Sequence, residues 1–162
     1  DAPILPVLAD EMVKDEPGQS VVLDRLLDLL LITVLRAWFA RADAETPAWY
    51  RAHGDPVVGS ALRMIYNDPA HQWTVASLAD ATGVSRATLA RRFTELVGES
   101  PMAFLTDWRL ALAADLLQEP GATVGSVARK VGYGSSFALS AAFKRVRGVS
   151  PQEHREMLVA QR

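Results

Sequence analysis

The chain contains the same unit twice. Residues 74–84, TVASLADATGV, align with residues 123–133, TVGSVARKVGY, at an offset of 49. Residues 85–101 align with 135–151 at an offset of 50, Gly134 being the one extra residue. Eleven of the 28 aligned pairs are identical: Thr74/Thr123, Val75/Val124, Ser77/Ser126, Ala79/Ala128, Gly83/Gly132, Ser85/Ser135, Leu89/Leu139, Phe93/Phe143, Gly98/Gly148, Ser100/Ser150 and Pro101/Pro151. These are residue types that start, turn, anchor and stop helices. Any fold proposed for the chain must therefore hold two copies of one helical motif.

Each identity has a mechanical role. Thr74 and Thr123 cap a short helix whose Leu78 and Ala79, or Val127 and Ala128, face inward, the small alanine letting a second helix cross closely. Gly83 and Gly132 occupy a tight turn that needs φ > 0. Ser85 and Ser135 cap a second helix anchored by Leu89/Phe93 and Leu139/Phe143 at i, i+4, which Gly98 and Gly148 stop. Ser-Pro at 100–101 and 150–151 starts the next helix. A short helix, a glycine turn and a capped longer helix is a helix-turn-helix, expected here at about 74–97 and 123–147. The linking helix is expected from Pro101 to about Leu117, with Phe104, Leu105, Trp108, Leu112, Leu116 and Leu117 as its apolar set. At 1.5 Å per residue it separates the units by roughly 25 Å, against about 34 Å for a turn of DNA, so two second helices can enter successive major grooves.

The rest also reads as helix, because no stretch alternates in the strand manner. Pro3, Pro6, Pro17 and Gly18 limit the first 19 residues to a short helix, Val7 to Val13. Residues 20–42 predict a long helix capped by Ser20, with Leu23, Leu26, Leu27, Leu30, Val34 and Trp38 on one face. Leu29, Leu31, Ile32 and Leu35 widen that stripe beyond a single packing face, so self-association is expected through the six stripe residues. Residues 43–54, with Pro47 and Gly54, are expected to be a loop and domain boundary. Asp55-Pro56 then starts a helix with Val58, Ala61, Leu62 and Ile65 inward, ended by Asn67-Asp68-Pro69. The expected fold is all-α: two tandem helix-turn-helix subdomains joined by a long helix (residues 55–162), preceded by a helical dimerisation or linker segment (1–54).

Charge separates the same halves. The net charge is −2, but residues 1–73 carry −5 and residues 74–162 carry +3, so only the second half suits a polyanion. With no cysteine among 162 residues, disulfides, thiolate metal sites and cysteine nucleophiles are excluded, and a reducing, cytoplasmic setting fits. The longest apolar run, Leu29 to Leu35, is far too short to span a bilayer, and no signal peptide stands at the start. A chain starting at Asp1 is expected to be a fragment or processed product of a longer one. His53, His71 and His154 are far apart and lack metal-ligand spacing, and Gly-Tyr-Gly at 132–134 is turn punctuation rather than a phosphate loop. Catalysis, metals and cofactors are not expected.

A helical wheel assigns the candidate DNA-reading groups. Opposite Leu89 and Phe93 lie Ala87, Thr88, Arg91 and Thr94, with Ala90 at the flank and Arg86 near the helix start. Arg91 is the one long, forked donor of that outer face, suited to guanine or phosphate, whereas Ala87 and Ala90 offer methyls to thymine. Arg92 falls toward the core flank and is expected to pair within the protein. The second unit exposes Phe137, Ser140, Ala141 and Lys144, with Ser135 and Ser136 at the helix start. It is poor in base-reading groups and is expected to contribute placement more than discrimination.

The strings SRATLARRF, WRLALAADLL and VARKVGYGSSFALSAAFKRVRGVSPQEHR resemble the DNA-binding domain of AraC/XylS-family transcription regulators. Gly132, Tyr133, Ser135, Phe143, Lys144, Arg145, Gly148, Ser150, Pro151 and Arg155 match the family's second-unit signature, and Ser85, Leu89, Arg91 and Phe93 match in the first. The likeness covers about residues 56–158. An arginine usual in the second helix is Ala141 here, and a tyrosine before Arg155 is His154. LLDLLLITVLRAWF and PAWY resemble the helical tail of the cupin-type sensor carried by one subgroup, which implies a ligand-sensing barrel outside this chain. The resemblance implies double-stranded DNA, RNA polymerase and a second copy of the chain as partners. The rival reading is a helical protein-interaction module whose helix-turn-helix units are degenerate.

Overall fold

The computed structural model describes residues 4–41 and 46–159. Pro3, the expected end of the long helix at Ala42 and the first part of the expected loop, 43–45, lie outside the described residues. Within them run ten helices and no strand: α1 Ile4–Met12, α2 Gln19–Phe39, α3 Ala48–Gly54, α4 Val58–Asn67, α5 Val75–Ala81, α6 Arg86–Val97, α7 Pro101–Leu116, α8 Val124–Lys130, α9 Ser136–Arg147 and α10 Pro151–Val159. The chain divides into two compact units, Asp1–Pro47 and Ala48–Arg162.

In the first unit α1 packs on α2. α1 starts at Ile4 rather than Val7, because Pro6 falls in its first turn, where a missing N–H breaks no helical bond. Ser20 does not cap α2. The helix begins at Gln19 after Gly18 in the left-handed region, with no side-chain cap, while the Gln19 amide reaches back to donate to the Glu11 carbonyl at 2.9 Å. Leu23, Leu26 and Leu30 share a half-buried stripe with Gln19 and Thr33, whereas Leu27, Val34 and Trp38 are exposed. The Arg41 guanidinium lies 5.0 Å from the Trp38 ring. Among the described residues no helix is long and apolar enough to cross a membrane.

In the second unit, Ala48–Gly54 is a helix where a loop was expected. Tertiary packing explains the difference. α3 lies on α4 and α6, Ala52 is 1 % exposed, and Gly59 of α4 sits so close that a Cβ there would collide with the His53 carbonyl. A seven-residue helix is too short to hold alone and forms here because it covers that glycine. Asp55 Oδ1 accepts from the Val57 and Val58 amides at 2.9 Å each, but α4 begins at Val58 with Val57 at its cap position, so Pro56 stands in the turn before the helix and is not its first residue.

The apolar interior of this unit forms two clusters. One gathers Val58, Leu62, Ile65, Leu78, Leu89, Phe93 and Leu105; the other gathers Leu110, Ala113, Leu117, Val127, Val131, Leu139 and Phe143. α7 threads both, with Leu105 in the first and Leu110 in the second.

Candidate nucleic-acid interface

The two motifs are built alike at the atomic level. Thr74 Oγ1 accepts from the Ser77 amide at 3.0 Å while Ser77 Oγ accepts from the Thr74 amide at 2.9 Å. Thr123 and Ser126 repeat the exchange at 3.1 Å in both directions. These reciprocal bonds satisfy donors that a helix start leaves open. The role of Ser77 and Ser126 was not read from the sequence, although their identity in the repeat was the available signal. Ser85 and Ser135 then cap α6 and α9, accepting from Thr88 at 3.2 Å and Ala138 at 3.1 Å. Leu89, Phe93, Leu139 and Phe143 are 0 % exposed, so both helices are pinned by their inner faces.

Pinning the inner faces leaves the outer ones open. On α6, Arg86, Ala87, Arg91 and Thr94 are exposed, and Thr88 and Ala90 are half-buried. Thr88 is tied at its hydroxyl to Ser85 Oγ at 2.9 Å. Arg91 lies along its own helix and donates to both Glu95 oxygens at 2.9 and 3.1 Å. On α9, Ser135, Ser136, Phe137, Ala141 and Lys144 are exposed and Ser140 is half-buried, Phe137 reaching 82 %. The wheel residues thus gather as two groups, one on each second helix. Further exposed cations flank the second group, Arg129 and Lys130 ending α8 and Arg145 and Arg147 on α9. They had gone unassigned, although the positive balance of the second half was their signal.

Behind α6, Arg92 pairs within the protein as expected, donating to Asp55 Oδ2 at 2.5 Å. Burial pushes the Asp55 carboxyl up, but the Val58 and Val57 amides and Arg92 together outweigh it and hold the group below its ordinary value. A carboxyl depressed in the fold adds stability that is complete above the unfolded aspartate's pKa of about 3.9 and is lost as pH falls through the folded value. Asp55→Asn is therefore expected to lower the urea midpoint at pH 7, with the gap to wild type closing as pH falls through that window. A gap that persists in acid would show that the carboxylate's charge is not what matters.

A second buried-side cation was not anticipated. Arg109, on α7, donates from Nε to the Pro69 carbonyl at 2.7 Å and from Nη2 to the His71 carbonyl at 2.8 Å. Its guanidinium carbon lies 5.9 Å from the Tyr133 ring centroid. Gln72 Nε2 donates to the Gly132 carbonyl at 3.1 Å, 60 residues away in sequence. No periodicity or local pattern announces contacts of that range.

Comparison with known proteins places this arrangement. A family profile described as a helix-turn-helix domain matches residues 78–157, and one described as cupin matches residues 1–40. A putative AraC-like transcription regulator of Streptomyces antibioticus is 44% identical over 152 residues, 94% of this chain and 50% of that protein. The HTH-type transcriptional regulator AlkR of Acinetobacter baylyi is 37% identical over 92% of this chain and 48% of its own length. The chain thus spans about half the length of the curated relatives it matches. The DNA-binding domain of AdpA, described as a global transcriptional factor and crystallised with a target DNA, superposes with a TM-score of 0.63 at 32% identity. That match covers 67% of this chain and 96% of that one.

Proposed function

The chain belongs to the AraC family of helix-turn-helix transcription regulators, and from that premise we propose that it binds DNA sequence-specifically, with α6 and α9 entering adjacent major grooves. The observation that carries the reading is the pair of identically capped second helices, each buried along one face and open along the other. Arg86, Ala87, Thr88, Ala90, Arg91 and Thr94 form the reading face of the first unit. Ser135, Ser136, Phe137, Ser140, Ala141 and Lys144 form that of the second, with Lys144 on phosphate and Phe137 against thymine methyls. The second unit serves affinity and placement more than discrimination, because Ala141 offers no hydrogen-bonding group.

Arg91 is available to DNA despite its ion pair. Both members are more than half exposed, and such pairs contribute roughly 0–1 kcal/mol, less than a bidentate contact to guanine at about 1–3 kcal/mol. Arg91→Ala is expected to weaken binding by about 1–3 kcal/mol and to relax the preference at one base pair. A binding profile across single-base variants that does not change would remove Arg91 from the reading face.

Fluorescence anisotropy against duplexes from a random-sequence selection tests the whole reading. Tight binding that weakens steeply with salt is expected, since phosphate contacts release counterions. Weak, salt-insensitive binding would favour the protein-interaction module instead.

The N-terminal residues to 54 are read as the tail of a sensor domain and 55–162 as the DNA-binding domain, with α3 packed on the latter. Leu23, Leu26, Leu27, Leu30, Val34 and Trp38 supply a homodimer contact, RNA polymerase is a further partner, and the setting is cytoplasmic. Leu27 is 51 % exposed. Sedimentation is expected to find a dimer that Leu27→Asp converts to monomer, whereas a wild-type monomer at all concentrations would refute the contact.

A further inference from the structure

The two helix-turn-helix units have separate apolar cores, each gripping its own part of the continuous helix α7, so the angle between them rests on that helix and on the contacts that brace the units beside it. α7 joins them, yet its residues divide between the cores, and the joint falls between Leu105 and Leu110. Arg109 stands at that joint. Resting on the two-groove reading above, we propose that Arg109 is a positioning residue. It clasps the loop before α5 to the turn after α8, locks the angle between α6 and α9, and so makes the protein selective for the spacing between two half-sites on DNA.

The clasp has three faces. The guanidinium carbon lies over the Tyr133 ring, 5.9 Å from its centroid, while Nε and Nη2 donate to the carbonyls of Pro69 at 2.7 Å and His71 at 2.8 Å. A planar fork can stack and donate in two directions at once, which an ammonium cannot. Gln72 closes the other side, donating to the Gly132 carbonyl at 3.1 Å. The loop that receives these contacts is itself braced, Asp68 Oδ1 accepting from the His71 amide at 3.0 Å and the Trp73 indole donating to the Asp68 carbonyl at 2.9 Å. The turn is pressed against it, since a Cβ on Gly132 would lie 2.7 Å from the Ala70 carbonyl oxygen and 2.8 Å from Arg109 Nη2. First unit, linking helix and second unit thus meet around one side chain.

The consequence for DNA follows from its helical repeat. One inserted base pair moves a half-site by about 3.4 Å and turns it by about 35°, a displacement that a rigid protein cannot follow and a hinged one can. Rigidity at the joint is converted into discrimination between spacings, without any contact between Arg109 and DNA.

The test has a DNA-free arm and a DNA arm. The chain has no cysteine, so cysteines placed at the exposed Asp80 and Arg129 carry spin labels to α5 and α8 without background. Pulsed electron-spin distance measurement is expected to give one narrow distribution in the otherwise wild-type chain and a broad one in Arg109→Met, with helicity by circular dichroism retained. On a bipartite duplex from the selection, one inserted base pair is expected to weaken the parent by about tenfold or more. Arg109→Met should lose much of that penalty while binding an isolated half-site as before. Gln72→Leu, a milder cut at the same clasp, should broaden the distribution less and serves if Arg109→Met does not fold. Distance distributions that stay narrow in the folded variant, or a spacing penalty that does not change, would overturn the proposal. Absence of DNA binding by the parent would instead sink the two-groove reading and with it the spacing claim, while the distances would still report whether the clasp holds the joint.

Discussion

Phe93→Ala is expected to destabilise the compact unit of residues 48–162, and its first helix-turn-helix most directly, by about 3–5 kcal/mol, the range for truncating a fully buried aromatic. Its ring is 0 % exposed and meets Phe104 edge-on with centroids 5.7 Å apart, in the cluster that also holds Leu78, Leu89 and Leu105. Three helices therefore lose contacts at once: α5, α6 and α7. A cavity among elements that each contact others has little freedom to collapse, which puts the cost toward the top of the range. Because α6 is pinned through this ring, the candidate reading face should lose its fixed orientation as well. Urea denaturation followed by circular dichroism measures the loss, and a shift under about 1 kcal/mol would mean the site had closed around the smaller side chain.

Gly132→Ala should rank next, and its counterpart in the repeat serves as the control. Gly83 and Gly132 occupy the same position of the motif, with φ of 70° and 82°. A side chain in that region costs roughly 1–2 kcal/mol. At Gly83 nothing lies within 4 Å of an added Cβ, so Gly83→Ala should cost that strain alone. At Gly132 the added carbon would lie 2.7 and 2.8 Å from the oxygen and Cα of Ala70, backbone atoms that cannot swing aside. Overpacking of this kind adds about 1–3 kcal/mol, so the two substitutions should differ by that amount in thermal or urea melts. Equal effects would show that the loop at Ala70 yields easily, contrary to the close packing at the joint.

The motif itself was legible because its signals are local. Caps, turn glycines and i, i+4 anchors act over a few residues, and a second copy of the pattern removed the ambiguity that a single helical hairpin carries. The outer faces of α6 and α9 were legible for the same reason, since a buried pair one turn apart leaves the opposite side of a helix outward. Where local signals conflicted with distant ones, the sequence misled. Ser20 looked like a cap, but the Gln19 side chain reaching the Glu11 carbonyl accompanies a start one residue earlier. Residues 48–54 looked like a loop because Pro47 and Gly54 bracket them, yet α4 and α6 supply the surface that holds them helical.

By itself, then, the amino-acid order determined that this is an all-helical chain carrying one capped helix pair twice, and which side of each second helix is buried. Only the tertiary structure decided that equivalent glycines have different neighbours and that Arg109 bridges the two units. The physical reason is range. Helix starts, turns and faces depend on energies between residues within about two turns of one another. The joint depends on contacts as long as 38 to 60 residues besides the ring of Tyr133, which no short-range pattern encodes.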